Sequence, residues 1–185
     1  MRRAFGLKQF MTVLVGLAFI ATAGLSDPIT LEKVPEPVAK TFRTMFPNGV
    51  IEKLDAEEED GVMVYDFEFR AGGREKETDI SADGTMLEST LVVTAKAVPA
   101  PALKSIQAAA KGAKLGRLEW FETRYQLKEG KIIALATPEI HYAAEMTRRN
   151  QKAEVQVTPD GKVTAAPEWV SSAPAKTAPS AKTGK

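Results

Sequence analysis

The sequence predicts an α+β fold made of two tandem repeats, each a helix packed on an antiparallel sheet of about four strands. One observation is the segment VPEPVAK from Val34, which recurs as VPAPALK from Val98 at an offset of 64 residues. The other is a pair of later landmarks, at Tyr65 and at Glu77, which recur at an offset of 77 residues. Because the landmarks keep their order, the second copy is expected to carry 13 extra residues between its helix and its tyrosine strand.

Each repeat is expected to begin with a helix. Pro35 and Pro37 suit a helix start, where a missing N–H costs little, and the Pro-Asn-Gly sequence at 47–49 ends the segment. Between them an apolar stripe recurs at helical spacing, consisting of Val38, Phe42, Met45 and Phe46. The stripe of the second helix is weaker and consists of Leu103, Ile106, Gln107 and Ala110.

Strands are expected to follow each helix. From Val62 to Arg70 the apolar period becomes two, which predicts a strand with one face against the helix. The helix-facing residues are predicted to be Met63, Tyr65, Phe67 and Phe69, and their counterparts Ile140, Tyr142, Ala144 and Met146. Asp-Gly pairs at 83–84 and 160–161 predict hairpin turns. The inserted segment 126–138 is expected to be an extra strand, with an apolar partner-binding loop as the alternative.

The two ends of the chain are expected to lie outside the folded part. Residues 1–23 have a basic start, a short apolar run and the small-x-small sequence Ala21-Thr22-Ala23, which predicts a signal peptide cleaved after Ala23. The uncharged run ends before Asp27 and is too short for a membrane-spanning anchor. Repeat 1 is placed at 29–93 and repeat 2 at 98–169. Residues 170–185 lack apolar periodicity and are predicted to be a disordered tail.

Composition excludes several kinds of function. The 185 residues include no Cys and one His, so disulfides, thiolate catalysis, Cys-ligated metals and most His-based catalytic sites are excluded. The 25 basic and 24 acidic residues give a net charge of +1. Because the leader and the tail carry six of the basic residues, the folded part is acidic, with a net charge of −5. An acidic body argues against nucleic-acid binding.

These features together resemble a known family. The Val-Pro helix start, the helix ending in Phe-Pro, a strand after an acidic turn with Gly61 and Tyr65, and the Glu-x-x-Ile-x-x-Asp-Gly sequence from Glu77 are similar to the PepSY-like domain related to beta-lactamase inhibitory protein (BLIP). The resemblance covers residues 29–169 in two copies. It implies helices on one face of an antiparallel sheet, with the other face left for a partner. The second copy departs from the pattern by its insertion and by Ala143-Ala144.

Three groups of residues could carry chemistry. The acidic run from Asp55 to Gly61 could bind Ca²⁺, but an EF-hand needs Gly where Asp60 stands, so a solvated hairpin turn is favoured. His141 faces away from Tyr142 and has no Ser or Cys at a catalytic spacing, so it is interpreted as a surface residue. A carboxylate pair on the first aromatic strand is separated by about 7 Å, and such spacing is common in solvated strands. We therefore predict no catalytic residue, no metal and no cofactor.

The leading hypothesis is an exported, periplasmic or secreted, non-enzymatic module that binds a protein or peptide of the cell envelope, as an inhibitor or a sensor. Binding would use the sheet face opposite the helices and the hairpin loops, with Trp120 or Phe121 as the anchor. Weak binding of Ca²⁺, another cation or a small ligand is the alternative. The residues predicted to contact the partner are Asp60, Val64, Asp66, Glu68, Trp120, Phe121, His141 and Glu145.

Overall fold

The fold is given by a computed structural model that describes residues 29–171. Two α-helices and nine strands follow one another along this part of the chain. The helices are α1 (Glu36–Met45) and α2 (Ala100–Ala110). The strands are β1 (Val50–Glu59), β2 (Val62–Ala71), β3 (Arg74–Ser81), β4 (Met86–Val92), β5 (Lys114–Lys128), β6 (Lys131–Arg148), β7 (Gln151–Val157), β8 (Val163–Ala165) and β9 (Val170–Ser171).

All nine strands belong to one antiparallel sheet. Strands β1 to β8 are neighbours in chain order, and β9 pairs with β7. The central strands β4 and β5 pair from Glu88–Thr123 to Val92–Glu119, so the sheet continues from one half of the chain to the other. The predicted architecture of two repeats, each with its own sheet of about four strands, is therefore wrong. Sequence repetition does not show whether edge strands stay free, and pairing β4 with β5 satisfies backbone groups that two separate sheets would expose.

Both helices lie on the same face of this sheet. Residues paired directly across antiparallel strands point to one face. One such row runs across five strands, from the cluster under α1 to the cluster under α2, through Phe69, Lys76, Leu91, Trp120 and Tyr142. The opposite face, called the open face below, carries no helix within residues 29–171.

The cluster under α1 is aromatic. Phe42 is buried and stacks on Phe67, with ring centroids 4.5 Å apart, and meets Phe69 edge-on at 5.1 Å. These pairs confirm the predicted helix stripe and the predicted inward direction of the β2 aromatics. Three members of the predicted apolar sets are instead exposed: Met45 at 50%, Met63 at 40% and Ile140 at 37%. Met45 and Met63 lie at or near the ends of their elements, whereas Ile140 lies close to the irregular pairing of β6 with β5.

The cluster under α2 is aliphatic. Small residues on α2, Ala102 and Ala110, flank the fully buried Ile106 and allow the helix to approach the sheet closely. The facing residues are Tyr142, Ala144, Met146, Val155 and Val157. Trp120 packs against this cluster, so of the two aromatics at 120–121 it is the tryptophan that faces the helices.

Each helix start is held by an Asp-Gly hairpin turn. Gly161 has φ +90°, and a Cβ atom there would lie 2.7 Å from the carbonyl oxygen of Pro101. Ser105 donates a hydrogen bond from its hydroxyl to the Gly161 carbonyl at 2.6 Å. At α1 the corresponding bond runs from the Thr41 hydroxyl to the Gly84 carbonyl at 2.8 Å. Glycine is required at these turns by both the backbone angle and the close approach.

The segment 126–138 extends the β5–β6 hairpin and adds no separate strand or loop. The pairing register skips residues 135–138 of β6 opposite Arg124 of β5, and Pro138 has no N–H to offer the ladder. At the hairpin tip the Gly130 amide donates to the Asp60 carbonyl in the β1–β2 turn, with an N–O distance of 2.6 Å. In a flat sheet β2 and β5 would lie about 14 Å apart. This bond therefore requires the sheet to curl.

The sheet curls toward the open face. The β3–β4 turn, which lies between the two touching hairpins, is held against α1 through Gly84. The hairpin contact must therefore pass on the other side of that turn. Glu59 of β1 and Glu88 of β4 are consequently close enough to repel one another, although two strands separate them.

The described chain ends in a short strand. This strand, β9, consists of Val170 and Ser171, the first residues of the predicted tail, and pairs with β7. Just before it, the Arg148 guanidinium lies 3.8 Å from the centre of the Trp169 ring. The predicted signal peptide, residues 1–23, lies outside the described residues. Among residues 29–171, no helix has the length and apolar character needed to cross a membrane.

Candidate binding surface

The open face is lined by two parallel rows of mainly polar side chains. The first row runs through Lys53, Glu68, Glu77, Thr90, Phe121 and His141. The second row runs through Asp55, Asp66, Asp79, Glu88, Thr123 and Glu139. Four carboxylates thus occupy consecutive positions on β1 to β4. Like charges directly opposite one another destabilise a sheet, so this arrangement calls for a physical explanation.

Phe121 and His141 form the aromatic part of the open face. Their rings stack with centroids 5.4 Å apart at an angle of 22°. Burial lowers the pKa of His141, opposed by the charge of Glu139. Within residues 29–171 no hydrogen bond joins His141 to a hydroxyl or a carboxylate, so it lacks the orienting partner that a general base needs. The predicted orientation of His141, away from Tyr142, is confirmed by the strand register.

Asp66 and Glu68 share the open face but have different surroundings. The Lys53 ammonium pairs with Glu68 at 3.1 Å and with Asp55 at 2.6 Å. Asp66 has one carboxylate oxygen, Oδ1, that is buried and accepts no hydrogen bond. Burial, followed by the charges of Glu77 and Glu68, raises the pKa of Asp66 to about 7.

The other predicted contact residues are scattered. Val64 is 1% exposed and offers no surface to a partner. Asp60 lies at the β1–β2 turn with φ +48° and accepts the hydrogen bond from the β5–β6 tip. Glu145 is exposed on β6, opposite Glu154 of β7. The structure therefore brings Phe121 and His141 together, next to the second row of the open face, which contains Asp66. Asp60 and Glu145 lie apart from this aromatic pair.

The most unusual part of the open face was not predicted from the sequence. It is a shallow depression over β3 to β7, called the acidic pocket below, made of two adjoining concavities that share Glu77, Glu88 and Thr90. The smaller concavity is also lined by Asp79, and the larger one by Glu119, Phe121, Glu154 and Gln156. The Glu-x-Glu-x-Asp pattern from Glu75 on β3 was a usable signal, because period-two carboxylates share one face of a strand.

The carboxyl groups of the acidic pocket have perturbed acidities. Burial, followed by the charge of Glu88, raises the pKa of Asp79 well above its ordinary value. Burial is also the main cause that raises the pKa of Glu88, although the Thr123 hydroxyl donates a bond to it at 2.7 Å. Burial is likewise the main cause that raises the pKa values of Glu77, Glu119 and Glu154.

One internal cation partly compensates the acidic pocket. Arg117 of β5 contacts Glu77 and Glu119 directly and lies 3.6 Å from Glu75. No ion pair within residues 29–171 reaches Asp79, Glu88 or Glu154. The pocket therefore keeps an excess of carboxylates.

The acidic residues of the described chain are not arranged as a metal site, and the acidic pocket is small. Residues 29–171 contain no group of three or more carboxylate or imidazole side chains arranged to hold a metal ion. The acidic run from Asp55 forms the end of β1 and its hairpin turn. The larger of the two pocket concavities holds about 30 Å³. Small-molecule sites usually offer roughly 300–1,000 Å³.

Comparison with known proteins supports a relation at the level of the fold. No family model and no curated protein matches the chain. A candidate periplasmic protein from Bacteroides eggerthii DSM 20697 has a TM-score of 0.56 at 15% identity, covering 76% of this chain and 91% of that one. A BLIP-like protein from Bacteroides fragilis NCTC 9343 has a TM-score of 0.52 at 13% identity, covering 80% and 94%. A DUF2874 family protein from Bacteroides uniformis ATCC 8492 has a TM-score of 0.53 at 15% identity, covering 71% and 87%.

At these identities the comparisons bear on fold and leave function open. The predicted relation to BLIP is confirmed as a relation of fold. The PepSY relation and the tandem copies stay predictions.

Proposed function

We propose that the protein is an exported, periplasmic or secreted, non-enzymatic module that binds a protein or peptide of the cell envelope through the open face. The observation that carries the proposal is the Phe121–His141 stack, which stands half-buried beside the acidic pocket on a face that no helix covers. Aromatic residues concentrate binding energy in interfaces because they bury a large area with few rotatable bonds. The rim of charged side chains around the stack is typical of a protein-binding surface.

Binding without catalysis is the better-supported activity. The pocket of about 30 Å³ accommodates one water-sized group and cannot enclose a substrate. Asp66 has the raised pKa of a potential general acid, but its neighbour Glu68 is neutralised by Lys53. Structural neighbours that include a BLIP-like protein and a candidate periplasmic protein add support for a binding module outside the cytoplasm.

Site-specific crosslinking in the exporting cell tests this proposal. A photo-reactive phenylalanine analogue is placed at Phe121, and at Lys40, an exposed position on α1, as the control. We expect a discrete protein adduct from position 121 and none of the same mass from position 40, because only position 121 lies on the open face. Absence of an adduct at 121, or the same adduct from both positions, would contradict the proposal.

A further inference from the structure

The acidic pocket contains one carboxylate, that of Asp79, for which the described chain provides no partner. Asp79 is 8% exposed and lines the smaller of the two concavities, and its side chain has neither a hydrogen bond nor an ion pair within residues 29–171. All four charges acting on it, those of Glu88, Asp66, Glu59 and Glu77, oppose its ionisation. A buried carboxylate without a partner is costly, so the site is completed by a proton or by a cation from outside.

The shape of the pocket selects among cations. A divalent metal needs several oxygen ligands converging at about 2.0–2.6 Å, and residues 29–171 offer no such group. A primary ammonium group has three donors and needs only acceptors spread around it. The larger concavity, of about 30 Å³, has room for a group of about the size of a water molecule, and an ammonium group is of that size.

The walls of the pocket also suit an ammonium group. Carboxylates stand on two sides, Glu77 and Glu88 on β3 and β4 and Glu154 on β7. Phe121 also lines this concavity, and an aromatic ring attracts a cation placed against its free face. Arg117 already neutralises the Glu77 and Glu119 side of the pocket. Glu88 and Glu154 each accept one hydrogen bond, from Thr123 and from Gln156, but neither forms an ion pair within residues 29–171.

We propose that the acidic pocket binds the ε-ammonium group of a lysine side chain presented by the partner protein. This inference rests on the proposed function, because it takes the open face as the interface and names the group that the partner inserts. The lysine would lie between Glu88 and Glu154 beside Phe121, and its alkyl chain would follow the ring toward the rim. Charge complementarity then sets the orientation of the partner on the sheet.

The pocket is tested directly with n-butylammonium chloride, a mimic of the lysine side chain, added to the ¹⁵N-labelled protein at pH 8. We expect saturable amide shifts at Thr90 and Gln156, which line the pocket, and none with sodium chloride at the same ionic strength. Glu88→Gln and Glu154→Gln should each weaken the apparent affinity at least tenfold. The exposed control Glu58→Gln should not change it. No saturable shift, or equal affinity in all variants, overturns the inference.

The two variants are expected to fold, because neutralising a crowded carboxylate relieves repulsion. If one of the two variants does not fold, the other still tests the inference.

The partner is tested by repeating the Phe121 crosslink in the Glu88→Gln background. We expect loss of the adduct, and a lysine within a few residues of the crosslinked site in the wild-type adduct. An undiminished adduct with Glu88→Gln overturns the lysine inference and leaves the binding-module proposal standing. If position 121 gives no adduct while butylammonium binds, the binding-module proposal fails and the ammonium site stands.

Discussion

Asp66→Asn should stabilise the protein at pH 8 and have little net effect at pH 5. The pKa of Asp66 lies at about 7 in the folded state against 3.8 ordinarily, and burial is the main cause. The folded state therefore holds a proton that the unfolded chain releases, so stability falls as the pH rises from about 4 through 7. The shift in the pKa of Asp66 lowers the free energy of unfolding by about 4 kcal/mol at pH 8 but by less than about 2 kcal/mol at pH 5.

The amide removes this ionisation but leaves an unpaired polar group, at a cost of about 1–3 kcal/mol that does not depend on pH. The benefit of Asp66→Asn should therefore be about 3 kcal/mol larger at pH 8 than at pH 5. Urea unfolding of both proteins at the two pH values, followed by tryptophan fluorescence, measures this difference. Glu58→Gln removes the same charge from an exposed position and serves as the control. An equal benefit at both pH values, or the same benefit from Glu58→Gln, would refute the reasoning.

Two further predictions concern packing. In urea unfolding, Gly161→Ala should be less stable than Gly72→Ala by about 1–3 kcal/mol. Both glycines have a positive φ, but only at Gly161 would the added Cβ atom meet a carbonyl oxygen, at 2.7 Å. Equal losses of stability would show that the contact between the turn and the helix is loose. Trp120→Ala should cost about 3 kcal/mol and Phe121→Ala clearly less, because Trp120 packs on the α2 cluster and Phe121 lies on the open face. A larger cost for Phe121→Ala would mean that the two faces have been assigned in reverse.

The local elements were predictable because each rests on neighbours in the sequence. The double-proline start of α1, the alternation around Phe67 and the Asp-Gly turn at 83–84 are set by backbone preference and period, and the structure confirms them. The alternation also placed His141 correctly on the open face. The α+β character follows from these elements, although strand dominates the described chain.

What was missed depends on contacts between distant segments. The pairing of β4 with β5 joins residues near Glu88 to residues near Thr123, and no local pattern specifies it. The sequence did not predict which face of the sheet Trp120 occupies. Alternation places Trp120 and Phe121 on opposite faces but does not show which of the two faces the helices. The contact between the β5–β6 tip and the β1–β2 turn joins residues 70 positions apart, Asp60 and Gly130, and no local pattern specifies it either.

The acidic pocket illustrates the same limit and suggests why it has a function. Each of its carboxylates looks like an ordinary solvated residue until the register places Asp79 beside Glu88 and next to Asp66 of the neighbouring strand. Elsewhere on this face the fold supplies cations within reach, since Lys53 and Arg117 each contact more than one carboxylate. A fold that can place cations beside its carboxylates on this sheet has placed none beside Asp79 and Glu88, which are the more deeply buried. A bound proton balances these carboxylates in the free protein, and a cation presented by a partner would take the place of that proton in the complex.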